Sequence, residues 1–207
     1  MQFREANETD LTRIAQLLAD AFLNYPLFTI IEANKTQRHQ LIYEIYYINA
    51  KLYMTKHKCF VIMQGQDLVA VALLKDLKNN QEELLDYFRM GFYPLFKQKL
   101  LAKTIKYLKL IYSINDLMPQ RQDESWYLDT FAVSKKAQGL GIGSKVLQDD
   151  IFSYIQTQGG GNLFLATNTK LNRKFYQKNG FAEYQEKELK LGSHVVKDWG
   201  YYKKITA

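Results

Sequence analysis

The stretch AQGLGIGSK, Ala137 to Lys145, places Gly139, Gly141 and Gly143 between an apolar run, WYLDTFAV, and a helical-looking run, SKVLQDDIFSYIQ. Glycines at such a junction let a backbone approach something closely. Backbone N–H groups converge at a helix N-terminus, where the helix dipole adds partial positive charge, so this loop is suited to hold an anion such as a phosphate. The alternative is a tight strand-to-helix turn that holds nothing. A second candidate lies just upstream. Asp129 is the one carboxylate inside the apolar run, a costly place for a charge unless it is paired or used. It reads equally as a general base and as a structural hydrogen-bond acceptor. Strict alternation predicts Tyr127, Asp129, Phe131 and Val133 on one strand face, opposite Trp126, Leu128, Thr130 and Ala132. His39, His57 and His194 are scattered and match no catalytic or ligand pattern.

Three nucleotide motifs fail on the glycine loop. A P-loop needs Lys before Ser or Thr after its last glycine, and here Ser144 precedes Lys145. A Rossmann fingerprint needs G-x-G-x-x-G in an N-terminal βαβ unit, whereas this loop reads G-x-G-x-G late in the chain. The kinase glycine loop is approached from Gly139 to Val146, but no H-R-D or D-F-G set follows. The pattern that remains is Gln138-x-x-Gly141-x-Gly143, directly after a strand and opening a helix.

The elements that must carry these residues can be read from periodicity. MQFREAN alternates as a short strand, and Asn7 or Thr9 caps a helix with Leu11, Ile14, Leu17, Leu18, Ala21 and Phe22 on one face. Pro26 breaks that helix. A second helical pattern runs from about Lys35 to Thr55, rich in tyrosine. KCFVIMQGQDLVAVALLK reads as a hairpin turning at Gln64 to Asp67. Helical periodicity dominates Asp76 to Asp123, with Lys97, Lys99, Lys103, Lys106 and Lys109 on its second run. Such a basic amphipathic helix suits a membrane or nucleic-acid surface, or a core face with a wet lysine face, the reading preferred here. SWYLDTFAV is the strongest strand signal. A helix to about Gln156, a GGGN turn, the strand LFLAT, a helix KLNRKFYQKN closed by Gly180, and the strands FAEYQEKELKL and KDWGYYKKI complete the order. The expectation is a single α/β domain over 1–207 with a mixed sheet and a helical insertion at about 76–123.

Composition narrows the function classes. Cys59 is the single cysteine, which excludes an internal disulfide framework and a multi-cysteine metal site. The first residues are charged from Arg4 onward, unlike a secretory signal, and no run approaches a membrane span. These features predict a cytoplasmic protein without membrane association. The net charge of +7 invites a nucleic-acid reading. Because the basic residues are spread out rather than gathered, a lysine-rich surface beside an anionic small ligand is preferred.

Downstream of the loop comes Asn172-Arg173-Lys174-Phe175-Tyr176-Gln177-Lys178-Asn179-Gly180-Phe181. Together with Gln138-x-x-Gly141-x-Gly143, it resembles the GNAT superfamily of acetyl-CoA-dependent N-acetyltransferases. The resemblance covers Trp126 to Phe181 well and the N-terminal elements loosely. It implies a mostly antiparallel central sheet flanked by helices, and acetyl-CoA as co-substrate with no metal. It also implies that the amides and carbonyls of Phe131 and Val133 pair with the pantetheine arm. The pyrophosphate would rest on the N–H groups of Gln138, Gly139, Gly141, Gly143 and Ser144, with Asn172 touching the cofactor. Tyr176 matches the tyrosine that protonates the departing thiolate, and Asp129 sits where some members carry a base, others using ordered water. The chemistry is coherent: a neutral amine attacks the thioester, the oxyanion needs donors, and the thiolate leaves more easily beside a proton source.

In this fold the first helices line the acceptor site, which nominates Phe22 to Phe28 and the tyrosines of the second helix. The long insertion and the WYL-x-T run look like the branch containing puromycin-type acetyltransferases, implying a small-molecule amine as acceptor. A protein or peptide amine is the competing acceptor, and an acyl-CoA sensor without turnover is the competing function. The expected state is a monomer or homodimer.

Overall fold

Asn7 ends the first strand, β1 (Gln2–Glu5), in the computed structural model, which describes residues 1–78, 102–106, 125–191 and 194–207. Its side chain accepts the Thr9 amide at 3.0 Å, while Asp10 accepts the Asn7 amide at 2.9 Å. This capping box starts a 3-10 turn at Glu8–Asp10 that runs into α1 (Leu11–Phe22), where Leu11, Ile14, Leu17 and Leu18 are buried at helical spacing. Pro26 does more than the sequence reading allows. It ends α1 but also opens α2 (Pro26–Ile31), because its fixed φ suits the first helical position and it has no N–H to leave unpaired. Three helices therefore precede the second strand, the third being α3 (Lys35–Lys56), capped by Asn34.

Arg38 of α3 ties these helices together. Buried at 7% exposure, it donates from Nε to the Leu23 carbonyl at 2.6 Å and from Nη1 to the Glu32 and Ala33 carbonyls at 2.7 and 3.0 Å. Leu23 and Glu32 close α1 and α2, so one guanidinium satisfies carbonyls that helix ends leave orphaned. Arg38→Met is expected to lower stability by about 3 kcal/mol, since the lost bonds are charge-assisted and the carbonyls stay buried. Urea unfolding measures this directly.

Among the described residues, seven strands form one sheet in the order β1-β2-β3-β4-β5-β7-β6. The others are β2 (Lys58–Gln64), β3 (Asp67–Asp76), β4 (Ser125–Val133), β5 (Gly161–Thr167), β6 (Ala182–Leu191) and β7 (His194–Ile205). Only β4 and β5 pair in parallel; every other neighbour is antiparallel. The mixed, mostly antiparallel sheet of the sequence reading is thus present. Helices α1 to α3 cover one face, against Val61, Val71, Leu73 and Ala132. The other face, with Phe60, Ile62, Leu74, Leu128 and Leu163, takes two later helices. The first, α4, comprises Ile142–Lys145, a π-type turn at Val146–Ile151, and Phe152–Thr157. The second is α5 (Lys170–Lys178).

Of the helical insertion expected at about 76–123, the described residues include 76–78 and the helical turn 102–106. Lys97, Lys99 and Lys109 lie outside the described residues. Lys103 pairs with Glu32 and donates to Gln37 at 2.9 Å, so the turn contacts the α2–α3 corner. Among the described residues, no helix is long and apolar enough to cross a membrane.

Candidate active site

The parallel ladder between β4 and β5 stops early. Its register runs Ser125↔Asn162, Trp126↔Leu163 and Tyr127↔Phe164, and no further pair follows. Beyond Tyr127 the two strands diverge, β5 continuing along β7 to Thr167 while β4 stays with β3 to Val133. The gap is the mouth of a cavity of about 730 Å³ between β4, the glycine loop and α5. Phe131, Val133, Gln138, Gly139, Gly141, Gly143, Ser144, Asn172 and Tyr176 all line it. Every residue that the sequence reading assigns to the cofactor is therefore brought to one groove.

The loop geometry explains its glycines. Gly141 caps α4 with φ +77°, a left-handed backbone that favours glycine. A Cβ added at Gly143 would meet the Phe175 ring at 3.2 Å and Val133 at 3.5 Å. The first α4 bond at this end runs from the Lys145 amide to the Gly141 carbonyl, so the amides before it have no acceptor inside the helix. Free amides at the positive end of a helix fit a pyrophosphate. The Val133 carbonyl, expected to face the pantetheine arm, already accepts the Gln138 side chain at 2.9 Å. A carbonyl has a second lone pair, and the Gln138 contact also fixes the entry to the loop.

Asp129 sits on a bulge, which corrects the predicted strand faces. Leu73 pairs with Thr130 and Leu74 with Leu128, so Asp129 is passed over. The extra residue reverses the alternation. Trp126 and Leu128 pack with Phe131 and Val133 on the α4 side, whereas Ala132 faces α1 and α3. The bulge also frees the Asp129 carboxylate from either core. Its Oδ2 accepts from Asn49 Nδ2 at 3.2 Å and from Thr130 Oγ1 at 2.8 Å, and the side chain lines a smaller inner pocket of about 80 Å³.

Phe22, Tyr25, Phe131, Asn172 and Tyr176 line both the inner pocket and the outer groove. The expected acceptor segment, Phe22 to Phe28, supplies Phe22, Tyr25, Leu27 and Phe28 to the inner pocket, and α3, the second helix of the sequence reading, supplies Tyr46. The Tyr25 hydroxyl accepts the Asn168 amide at 3.0 Å and lies 3.3 Å from Thr167 Oγ1; burial pushes its phenol up to about 12. Thr167 also accepts from Asn172 Nδ2 at 3.0 Å, which holds that side chain at the junction. Tyr176 is 7% exposed and rests against Phe175, Phe181 and Tyr201. Burial raises its pKa far above an ordinary phenol's, so it keeps its proton at every physiological pH.

One residue of the inner pocket escapes the sequence reading. Asp198 of β7 is fully buried, and burial pushes its carboxyl up to about 7. The signal was available: an aspartate inside the alternating run KDWGYYKKI carries the same cost as Asp129. The histidines stay apart from the site. His39 pairs with Asp20 at 2.9 Å, and His57 lies against Tyr53.

Comparison with known proteins finds similar sequences and similar folds. Residues 106–183 match the family model of the acetyltransferase (GNAT) domain. An uncharacterized N-acetyltransferase of Schizosaccharomyces pombe is 26% identical over 194 residues, covering 90% of this chain and 76% of the relative. Among solved structures, arylalkylamine N-acetyltransferase 2 of Aedes aegypti superposes with a TM-score of 0.68 at 13% identity, covering 99% of both chains. A histone acetyltransferase HPA2 and related acetyltransferase of Corynebacterium glutamicum gives 0.62 at 18% identity, covering 100% of this chain and 96% of that one. These two show likeness of fold.

Proposed function

Because this chain carries an acetyltransferase domain of the GNAT family, we propose that it transfers the acetyl group of acetyl-CoA to the primary amine of a small molecule. The observation that carries the reading is the junction of two cavities: a large groove under the glycine loop and a much smaller inner pocket lined by carboxylates and aromatic rings. The groove suits a long phosphate-bearing arm, with its anion on the α4 amides and Asn172 beside the arm. The inner pocket suits a cation, through Asp129, and an apolar or aromatic body, through Phe22, Phe28 and Tyr46. Tyr176 lines both cavities at the meeting point, so its phenol is the candidate proton donor to the thiolate leaving the tetrahedral intermediate.

The small volume of the inner pocket, about 80 Å³, favours a small amine over a peptide end. An amine panel tests this by thiol release and product mass. Phenethylamine should exceed an alanine-terminated peptide and spermidine by tenfold or more in kcat/KM, about 1.4 kcal/mol of discrimination. Preference for the peptide overturns the small-molecule reading. Tight acetyl-CoA binding with no acceptor in the panel favours an acyl-CoA sensor instead.

A further inference from the structure

Asp198 is 0% exposed, yet its Oδ2 finds no hydrogen-bond partner among the described residues. Its Oδ1 accepts from Asn168 Nδ2 at 3.0 Å, and the same amide donates to the Lys197 carbonyl at 3.2 Å. The carboxylate is thus held on one side and open on the other. It lines the inner pocket with Asp129, Tyr25, Tyr127 and Tyr176. A buried carboxylate oxygen with nothing to bind is costly, and a visiting proton or cation removes that cost. Resting on the reading of acetyl transfer to a small amine, we infer that Asp198 accepts the proton of the acceptor's ammonium group, with Asn168 as its positioning residue and Asp129 holding the cation beside it.

The two carboxylates differ in what surrounds them, which lets them take different roles. Asp129 has two donors on one oxygen, from Asn49 and Thr130. Asp198 is short of donors, and burial outweighs the opposing pull of the Trp199 amide and of Lys187 on β6. Lys187 is its cross-strand partner. The other titratable groups facing it are Tyr25, Tyr127 of β4 and Tyr184 of β6, all three phenols being pushed up by burial, with the Asp198 charge adding to the shift. They stay neutral near pH 7, so among these neighbours Asp198 is the group that changes charge there.

The step balances. One N–H bond of the ammonium breaks and its proton bonds to Asp198 Oδ2, freeing the nitrogen lone pair. That pair forms the C–N bond at the thioester carbonyl, and the C–S bond then breaks. The departing sulfur takes the Tyr176 phenolic proton, and the phenolate takes the surplus proton of the new amide nitrogen. Asp198 releases its proton to water. Ammonium and thioester become amide, thiol and one free proton.

The test compares wild type with Asp198→Asn, which keeps an oxygen for Asn168, and with Asp198→Ser should the first variant fold poorly. Wild-type kcat/KM for phenethylamine should rise with pH through about 7. In the variants that limb should vanish and the rate at about pH 8 should fall about 100-fold or more, with calorimetric acetyl-CoA affinity unchanged. A second readout needs no substrate. A carboxyl whose pKa is higher folded than unfolded stabilises the fold less as pH climbs through the folded value. The melting temperature of Asp198→Asn relative to wild type should therefore climb between about pH 4 and pH 7 and level off above that. A difference that stays flat with pH overturns the inference, as does a climbing difference with undiminished turnover in the variants. A wild type that acetylates no amine overturns the reading underneath, and the inference with it. An active wild type with an indifferent Asp198 overturns the inference alone.

Discussion

Tyr176→Phe lowers kcat by about 100-fold or more and leaves acetyl-CoA affinity nearly unchanged. The ring is the structural part of this residue and the hydroxyl the chemical part. Centroids of Phe175, Phe181 and Tyr201 lie 5.2, 5.5 and 6.1 Å from the Tyr176 ring, so a phenyl group fills the same space and the fold tolerates the change. What is lost is a proton source where the groove meets the inner pocket. Burial holds the phenol protonated, so the defect should be the same at about pH 7 and at about pH 9. A defect confined to high pH would mean that the hydroxyl works in another way. Near-wild-type kcat would remove Tyr176 from the proton path altogether. Single-turnover thiol release separates this chemical loss from any change in product release.

Gly141→Val abolishes useful acetyl-CoA binding while the protein still folds. At φ +77° a β-branched residue costs about 1–2 kcal/mol in backbone strain. A Cβ there meets no protein atom within 4 Å, so the fold itself accepts the side chain. Gly141 lines the groove, and the proposed anion seat on its neighbouring amides tolerates neither the bulk nor a shifted backbone. Each charge-assisted contact the anion gives up is worth about 1.5–3 kcal/mol, so affinity should fall about 100-fold or more. Gly141→Ala carries most of the strain but less bulk, and should lose about tenfold. Gly143→Val is a poorer probe, because its side chain collides with Phe175 and mixes a packing defect with the binding defect. Equal acetyl-CoA affinity in Gly141→Val and wild type would mean that the loop is only a turn.

The parts of the site legible in the sequence are those made by local spacing. Gln138 to Ser144 and Asn172 to Phe181 lie within single strand-loop-helix and helix-turn units, so their pattern survives without tertiary knowledge. The face of Asp129 is not legible in the sequence because a bulge is a two-strand event: it depends on how β3 pairs with β4 between Leu73 and Leu74, which strict alternation along β4 cannot register. A proline carries the same local signature whether it ends one helix or begins the next, so the sequence alone shows Pro26 only as a stop. Asp198 is hidden from the sequence for a longer-range reason. Its neighbours Asn168, Tyr25 and Tyr127 come from different parts of the chain: the β5–β7 and β4–β5 ladders bring in Asn168 and Tyr127, and Tyr25 reaches Asn168 from the start of α2. Arg38 shows the same limit: its role is set by carbonyls of two other helices.

The most direct test of the account is a calorimetric titration of the purified protein with acetyl-CoA, with ATP and NAD in parallel. The account predicts one acetyl-CoA per chain with a Kd of about a micromolar, some 8 kcal/mol, and far weaker heats from the other two. Folded protein that gives no heat with acetyl-CoA, or binds ATP as tightly, would contradict the groove assignment and every catalytic role built on it.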